Sequence, residues 1–181
     1  MKEIEFEQVT TRGGDRGESS LYNGERRRKD DPVFEALGDL DELSSFLGAA
    51  RAAGEGEPAV LRIEAVQRVL LRAGAQTATP SDDPLYLTLT PVCGADIDAL
   101  EAAEKELLGR TRIEPVFVLP GGNAVSAAVD IARSVCRRSE RRLVALIRDR
   151  GRTELADVQR YLNRLSDYLF ILARHLDGRG S

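Results

Sequence analysis

The chain has 181 residues, 42% hydrophobic and 31% charged, with a formal net charge of −4. That is the composition of a globular domain large enough for a real core, and its sign argues against a protein that coats DNA. No apolar run reaches the roughly 18–20 residues of a membrane span, and the start, MKEIEFEQVT, has neither a signal-peptide core nor the character of a transit peptide.

A cytoplasmic protein is therefore expected. Two cysteines, Cys93 and Cys136, form no metal spacing and no disulfide framework, which fits a reducing compartment. His175 is the single histidine, so zinc sites and histidine-based triads are disfavoured; a buried or capping role suits it better. With 23 arginines against 3 lysines, an arginine carries little weight by itself, and Lys29 carries slightly more.

In chain order, residues 1–31 are polar, glycine-rich and charged, with no apolar period, and read as a loop or arm. DDPVFEALGDLDELSSFLGAARAAG is the first helix. Asp31 can cap it, Pro32 fits its first turn, and Phe34, Leu37, Leu40, Leu43, Phe46 and Leu47 recur at helical spacing. EPAVLRIEAVQRVLLRAGAQTAT is the second, with Val60, Leu61, Ile63, Val66, Val69 and Leu70 apolar. PSDDPLYLTLTPVCG breaks the pattern; its alternation suits a short strand, but one too isolated to support a sheet. ADIDALEAAEKELLGR is the third helix, and IEPVFVLPGG is an extended stretch ending in a turn. NAVSAAVDIARSVCRRSERRLVALIRD, capped by Asn123, is the fourth helix and GRTELADVQRYLNRLSDYLFILARHL the fifth. DGRGS, residues 177–181, reads as a frayed tail. The expectation is one all-α domain, a five-helix up-and-down bundle over residues 32–176 preceded by the arm.

Residues along a helix rotate by about 100°. Asp130, Arg133, Arg137 and Glu140 therefore share a stripe of the fourth helix that borders its apolar side. Asn163, Asp167, Phe170 and Arg174 share one on the fifth, and Asp41 and Glu42 sit between apolar positions of the first. Polar stripes are ordinary on amphipathic helices, where i,i+4 pairs contribute only about 0.2–0.5 kcal/mol each. A partly buried arginine, however, needs a partner, and its planar fork suits phosphate oxygens. The arm's TRGGDRGESS packs glycines and hydroxyls into a short loop in which backbone amides can approach an anion. It is neither a Walker A motif nor a Rossmann fingerprint. On chemistry alone, a solvated helix face and a polyphosphate site built from arm and arginine helix both stand.

Four blocks in order, TRGGDRGESSLYNGERRRKDD, ALGDLDELSSFLGAAR, FVLPGGNAVSAAVDIARSVCRRSERR and YLNRLSDYLFILAR, resemble the corrinoid adenosyltransferases of the trimeric, propanediol-utilisation (PduO) type. The resemblance runs from about Thr10 to Arg174. It implies a ferritin-like, left-handed bundle of five helices forming a homotrimer with active sites between subunits. It also implies transfer of the 5′-deoxyadenosyl group of ATP to the cobalt of cob(I)alamin, with release of triphosphate. Mg²⁺ would accompany ATP, with no metal held by protein side chains. An external reductase would supply cob(I)alamin through a four-coordinate cob(II)alamin, and an adenosylcobalamin-dependent enzyme would accept the product.

Residue by residue, Thr11, Arg12, Gly13, Gly14, Asp15, Arg16, Gly17, Ser19 and Ser20 match the loop over the ATP phosphates, and Lys29 a lysine that reaches ATP. Arg137, Glu140 and Arg141 match the family's RRxER nucleotide contact, and Asn163 a further ATP contact. Arg133 matches an arginine paired across the interface with an aspartate, here Asp41. Phe117 matches the aromatic below cobalt, and Asp167 and Phe170 share a helix face that can line the corrin side. The resemblance leaves Arg138 and Arg142 to solvent or structure. Members often carry threonine at Gly13 and at Ser19 or Ser20, and histidine at Asp130; Asp39 is an additional acid.

Overall fold

The computed structural model describes residues 4–178. Among them the chain is mostly helical: α1 (Phe6–Val9), α2 (Pro32–Ala53), α3 (Ile63–Ala78), α4 (Gly94–Leu108), α5 (Ala124–Arg150) and α6 (Ala156–Asp177), with one hairpin of β1 (Glu18–Ser20) and β2 (Arg26–Arg28). The five long helices coincide with the segments of apolar periodicity. Asp31 caps α2 by accepting from Val33 N at 2.9 Å with Pro32 in the first turn, and Asn123 caps α5 by accepting from Ser126 N at 2.9 Å. Gly151, left-handed at φ 66°, ends α5.

The arm departs from expectation. It contains the single turn α1 and an antiparallel hairpin pairing Glu18 with Arg28 and Ser20 with Arg26. Leu21, in the hairpin bend, is buried in the core, and Asn23 donates to Asp83 at 2.8 Å. Apolar periodicity could not register a three-residue strand anchored by one leucine. Three further segments also differ. Residues Pro84–Thr88 form a 3₁₀ turn, capped by Asp83 on Leu85 N and clamped by buried Gln76, which donates to Tyr86 Oη at 3.0 Å and accepts from Val92 N at 2.7 Å. Leu61 is 72% exposed, because α3 begins only at Ile63, after the turn Pro58–Val60. Asp177 belongs to α6 and lies 3.0 Å from Arg174, whereas residues 179–181 of the expected tail lie outside the described residues.

Cross-helix pairs give the directions. Gln67 to Ser44 and Arg51 to Glu64 set α3 antiparallel to α2, and Arg72 to Asp96 and Arg62 to Glu106 set α4 antiparallel to α3. Arg138 to Asp39 and Arg142 to Glu35 set α5 antiparallel to α2. Arg164 to Glu101 and Thr111 to His175 make α6 parallel to α4. Direction thus alternates along the chain as expected, but adjacency does not follow it. α5 packs between α2 and α6, and α4 packs on α6 rather than on α5. The connection through residues 109–123 therefore crosses the end of α6, where Asn123 Nδ2 donates to Leu176 O at 2.9 Å. The core lies inside this ring, with Leu43, Leu47, Leu143, Leu162, Leu165, Leu169 and Leu172 wholly buried. Arg152 seals one end: buried, it donates to the carbonyls of Gln76, Thr77 and Thr79 and pairs with Glu154.

Candidate active site

The two polar stripes meet along the α5–α6 seam. Asp130 accepts from Arg174 at 2.7 Å, the Arg133 guanidinium lies 5.5 Å from the centre of the Phe170 ring, and Glu140 accepts from Asn163 at 3.2 Å. In this antiparallel register Arg137 falls opposite Asp167, and both are exposed. Every member of one stripe thus faces a member of the other. Asn163 in turn accepts from Arg164 at 2.6 Å, which orients its amide. Burial and the charge of Asp167 push the nearby Glu104 carboxyl above its usual range.

The five arginines from Arg133 to Arg142 separate into two groups. Arg138 bonds Asp39 at 3.0 Å and Glu42, and Arg142 bonds Glu35 at 3.0 Å; these are ties from α5 to α2. The bond with Asp39 raises the Arg138 pKa further above its ordinary value. Asp39, the additional acid in the sequence, is buried and is the partner Arg138 requires. Arg137 and Arg141 are exposed and make no hydrogen bond or ion pair to another described residue. Arg133 is half-buried, and its Nε is buried without a hydrogen-bond acceptor. A buried donor left unmatched costs about 1–3 kcal/mol; the guanidinium has the face of Phe170 beside it instead.

Beside the seam lies a groove of about 680 Å³, lined by Phe46 and Glu42 of α2, Asp130, Ile131, Arg133, Arg138 and Arg141 of α5, Phe170 and Arg174 of α6, and the loop residues Val118, Pro120 and Gly121. Its walls are mixed: aromatic and aliphatic surface, with guanidiniums at the rim. Phe117 is fully exposed at this end, next to the exposed Val116 and Leu119. Four apolar side chains in a row on solvent are unusual for a surface loop and mark a binding face.

The arm is folded on itself. Arg26 donates to Gly13 O at 2.8 Å, Lys29 N donates to Gly17 O at 2.9 Å, and Gly13 N donates to Thr11 Oγ1 at 3.4 Å. A Cβ at Gly14 would lie 2.8 Å from Lys29 Nζ, so a side chain there would push the lysine from its place across the loop. Arg12 has φ 55°, the one non-glycine residue with positive φ among those described, and Gly17 has φ 77°. Thus Thr11, Arg12, Gly13, Gly14, Gly17 and Lys29 come together, with Asp15, Arg16 and Ser20 exposed and Ser19 half-buried on the same structure. Among the described residues no hydrogen bond or ion pair joins the arm to Arg137, Glu140, Arg141 or Asn163 of the same protomer. Asp41 is likewise exposed beside Leu70, Leu71 and Gly74 of α3, away from Arg133.

Sequence reasoning did not identify the pair of buried Arg174 and partly buried Asp177 linked to Asp130, nor the contact of Gly122 with Asp177. The signal for the first was the matched spacing of the two stripes; for the second it was the doubled glycine of LPGGN. Cys136 is buried, its thiol bonded to Leu162 O at 3.2 Å and its pKa pushed far up by burial, so it is a core side chain. His175 meets Thr111 Oγ1 at 3.0 Å.

Known proteins resemble this chain over most of its length. The family model described as cobalamin adenosyltransferase matches residues 9–176. The corrinoid adenosyltransferase MMAB of Bos taurus is 42% identical over 171 residues, which cover 92% of this chain and 70% of that protein. Two solved structures of Lactobacillus reuteri variants superpose closely. A PduO-type ATP:corrinoid adenosyltransferase complexed with cobalamin and ATP has TM-score 0.85 and 29% identity, covering 94% of this chain and 93% of that one. A second, complexed with ATP, has TM-score 0.84 and 30% identity, covering 94% of each. The chain belongs to the cobalamin adenosyltransferase family, as a corrinoid adenosyltransferase of the PduO type.

Proposed function

We propose that the protein transfers the 5′-deoxyadenosyl group of ATP to the cobalt of cob(I)alamin, at sites completed between the subunits of a homotrimer whose protomer is a single adenosyltransferase domain, a bundle of the five long helices with an N-terminal arm. The observation that carries this reading is the division of the α5 arginines. Arg133, Arg137 and Arg141 are kept out of the ion pairs that hold α5 to α2, along the seam that borders a mixed apolar and cationic groove. In the reaction a Co–C5′ bond forms, the C5′–O bond breaks, and its electron pair leaves on triphosphate. Arg137 and Arg141, with Lys29 and the amides of the Gly13–Gly17 loop, stabilise that growing charge. Glu140 and Asn163, already bonded to each other, orient the nucleotide between the phosphate and corrin ends of the seam.

The separation of arm from seam within a protomer supports the intersubunit reading: one protomer's arm would close on its neighbour's α5. The unmatched Nε of Arg133 and the exposed Asp41 fit a pair across the same interface. In this reading Phe117 acts as an apolar wedge against the lower face of cobalt that excludes a water or base ligand, favouring four-coordinate cob(II)alamin and so its reduction by an external reductase. Asp167 and Phe170 line the corrin side. Among the described residues no group of three histidine, cysteine, aspartate or glutamate side chains could hold a metal. Mg²⁺ is assigned to the phosphates of ATP, where it supplies charge neutralisation. No helix among the described residues is long and apolar enough to cross a membrane; a cytoplasmic setting, with delivery of product to an adenosylcobalamin-dependent enzyme, completes the proposal.

The test is anaerobic mixing of the protein with ATP, Mg²⁺ and chemically reduced cob(I)alamin. ATP-dependent appearance of a light-sensitive adenosylcobalamin spectrum is expected. Cob(I)alamin that survives with ATP present would reduce the protein to a binding role.

A further inference from the structure

Residues 112–122 connect α4 to α5 and carry Val116, Phe117, Val118 and Leu119, all exposed. None of these four side chains is anchored in the core. Among the described residues one hydrogen bond joins this loop to the helical body: Gly121 N donates to Asp130 Oδ2 at 3.3 Å. The same oxygen accepts from Arg174 Nη2 at 2.7 Å, and the Asp130 and Arg174 side chains are only 12% and 7% exposed. Arg174 Nε lies 3.0 Å from Asp177 Oδ2, close enough for an ion pair although not aligned as a hydrogen bond. Asp177 also packs against the loop: a Cβ at Gly122 would lie 2.3 Å from its Oδ1, and Gly121 has φ 94°. Gly121 thus suits a conformation that L side chains rarely adopt, and any side chain at Gly122 would have to displace Asp177. Arg174 further lies 5.8 Å from the Phe170 ring that Arg133 also meets.

We propose that Asp130 is a positioning residue, which with Arg174 and Asp177 pins the Gly121–Gly122 end of the loop and so sets where Phe117 stands over the groove. This rests on the reading of Phe117 given above. Asp130 lies on the same stripe as Arg133 and Arg137, but its carboxylate is already committed to Arg174 and the loop amide. It borders the groove and acts by holding the Phe117 loop. A carboxylate that merely neutralised Arg174 would affect stability alone; one that holds the loop must also change loop motion and the coordination state of cob(II)alamin.

The experiment compares wild type with Asp130→Ala, Asp130→Asn, Phe117→Ala and the double variant Asp130→Ala/Phe117→Ala. Two readouts are taken on the full chain: millisecond amide exchange over residues 116–122, and the electron paramagnetic resonance signal of four-coordinate cob(II)alamin with ATP bound. Asp130→Ala is expected to speed loop exchange several-fold while residues 162–172 of α6 stay protected. It should also lower the four-coordinate fraction several-fold, with no further loss when added to Phe117→Ala. Asp130→Asn keeps an acceptor for Gly121 and should fall between; it carries the test if the alanine variant does not fold. Unchanged loop exchange, or losses that add between Asp130→Ala and Phe117→Ala, would overturn the proposal. If Phe117→Ala itself leaves the four-coordinate fraction untouched, the reading of Phe117 as a wedge fails and the proposal as stated falls with it. Loop exchange shows which part failed: faster exchange in Asp130→Ala would leave only the pinning of the loop standing.

Discussion

Arg137 and Arg138 are neighbours on one helix, yet they serve opposite ends. Arg138 reaches across to Asp39 and Glu42 of α2, and Arg142, one turn on, reaches Glu35. Arg137 and Arg141 turn about 100° away and make no hydrogen bond or ion pair to another described residue. The same side chain is thus structural on one face and available on the next. The difference lies in what the facing helix offers: α2 presents three acids, whereas the α6 seam offers Asn163, Asp167 and Phe170. A run of arginines in sequence is uninformative until the partner helix is known.

The sharpest way to break this comparison is Arg137→Ala. It should lower kcat/KM by roughly 10³, about 4 kcal/mol of transition-state stabilisation, with helicity and assembly unchanged by circular dichroism and sedimentation. Near-normal turnover would return Arg137 to the solvated face. Arg152→Ala should show the reverse pattern. Its guanidinium is buried and satisfies three carbonyls, so urea unfolding should report a loss of about 3 kcal/mol, while the turnover of molecules still folded stays close to normal. A selective loss of turnover without loss of stability would show that this end of the protein also belongs to the site.

Phe117→Ala sharpens the same division on the groove side. Conversion starting from cob(II)alamin should fall by roughly tenfold, about 1.4 kcal/mol, and alkylation of supplied cob(I)alamin by less; equal losses in both assays would remove the wedge. Arg138→Ala should cost only about 1 kcal/mol of stability, since its pairs are partly exposed, and leave KM for ATP unchanged. A raised KM for ATP would place Arg138 in the nucleotide site after all. The smallest effect concerns the thiols. Exposed Cys93 should react with a thiol reagent in the native protein, and buried Cys136, its thiolate disfavoured by burial, only after unfolding.

Much of the helical framework was legible because apolar period and caps act locally. Leu162, Leu165, Leu169 and Leu172 share a stripe in any α-helix, and all are wholly buried. Asp31 and Asn123 cap because a short polar side chain reaches an amide two or three residues on. Local rules failed where one distant contact decided the conformation. The hairpin depends on Leu21 and on the Asn23–Asp83 bond, sixty residues apart in sequence. The segment Pro84–Thr88 depends on Gln76, and Leu61 lies outside the helix because α3 starts at Ile63, three residues after the apolar pattern begins at Val60.

For the candidate site, the residue types were readable and their partners were not. The sequence by itself determined five long amphipathic helices, two polar stripes of matched spacing and a glycine-rich arm, since backbone geometry alone fixes which residues share a face. Only the tertiary structure decided that α5 lies between α2 and α6, and hence that Arg138 and Arg142 are tied while Arg137 and Arg141 are open. It alone joined Asp130 to Arg174 and the Phe117 loop, 44 residues from one and nine from the other. Charge pairing depends on distance in space and on burial, and both follow from helix order, which no local pattern encodes.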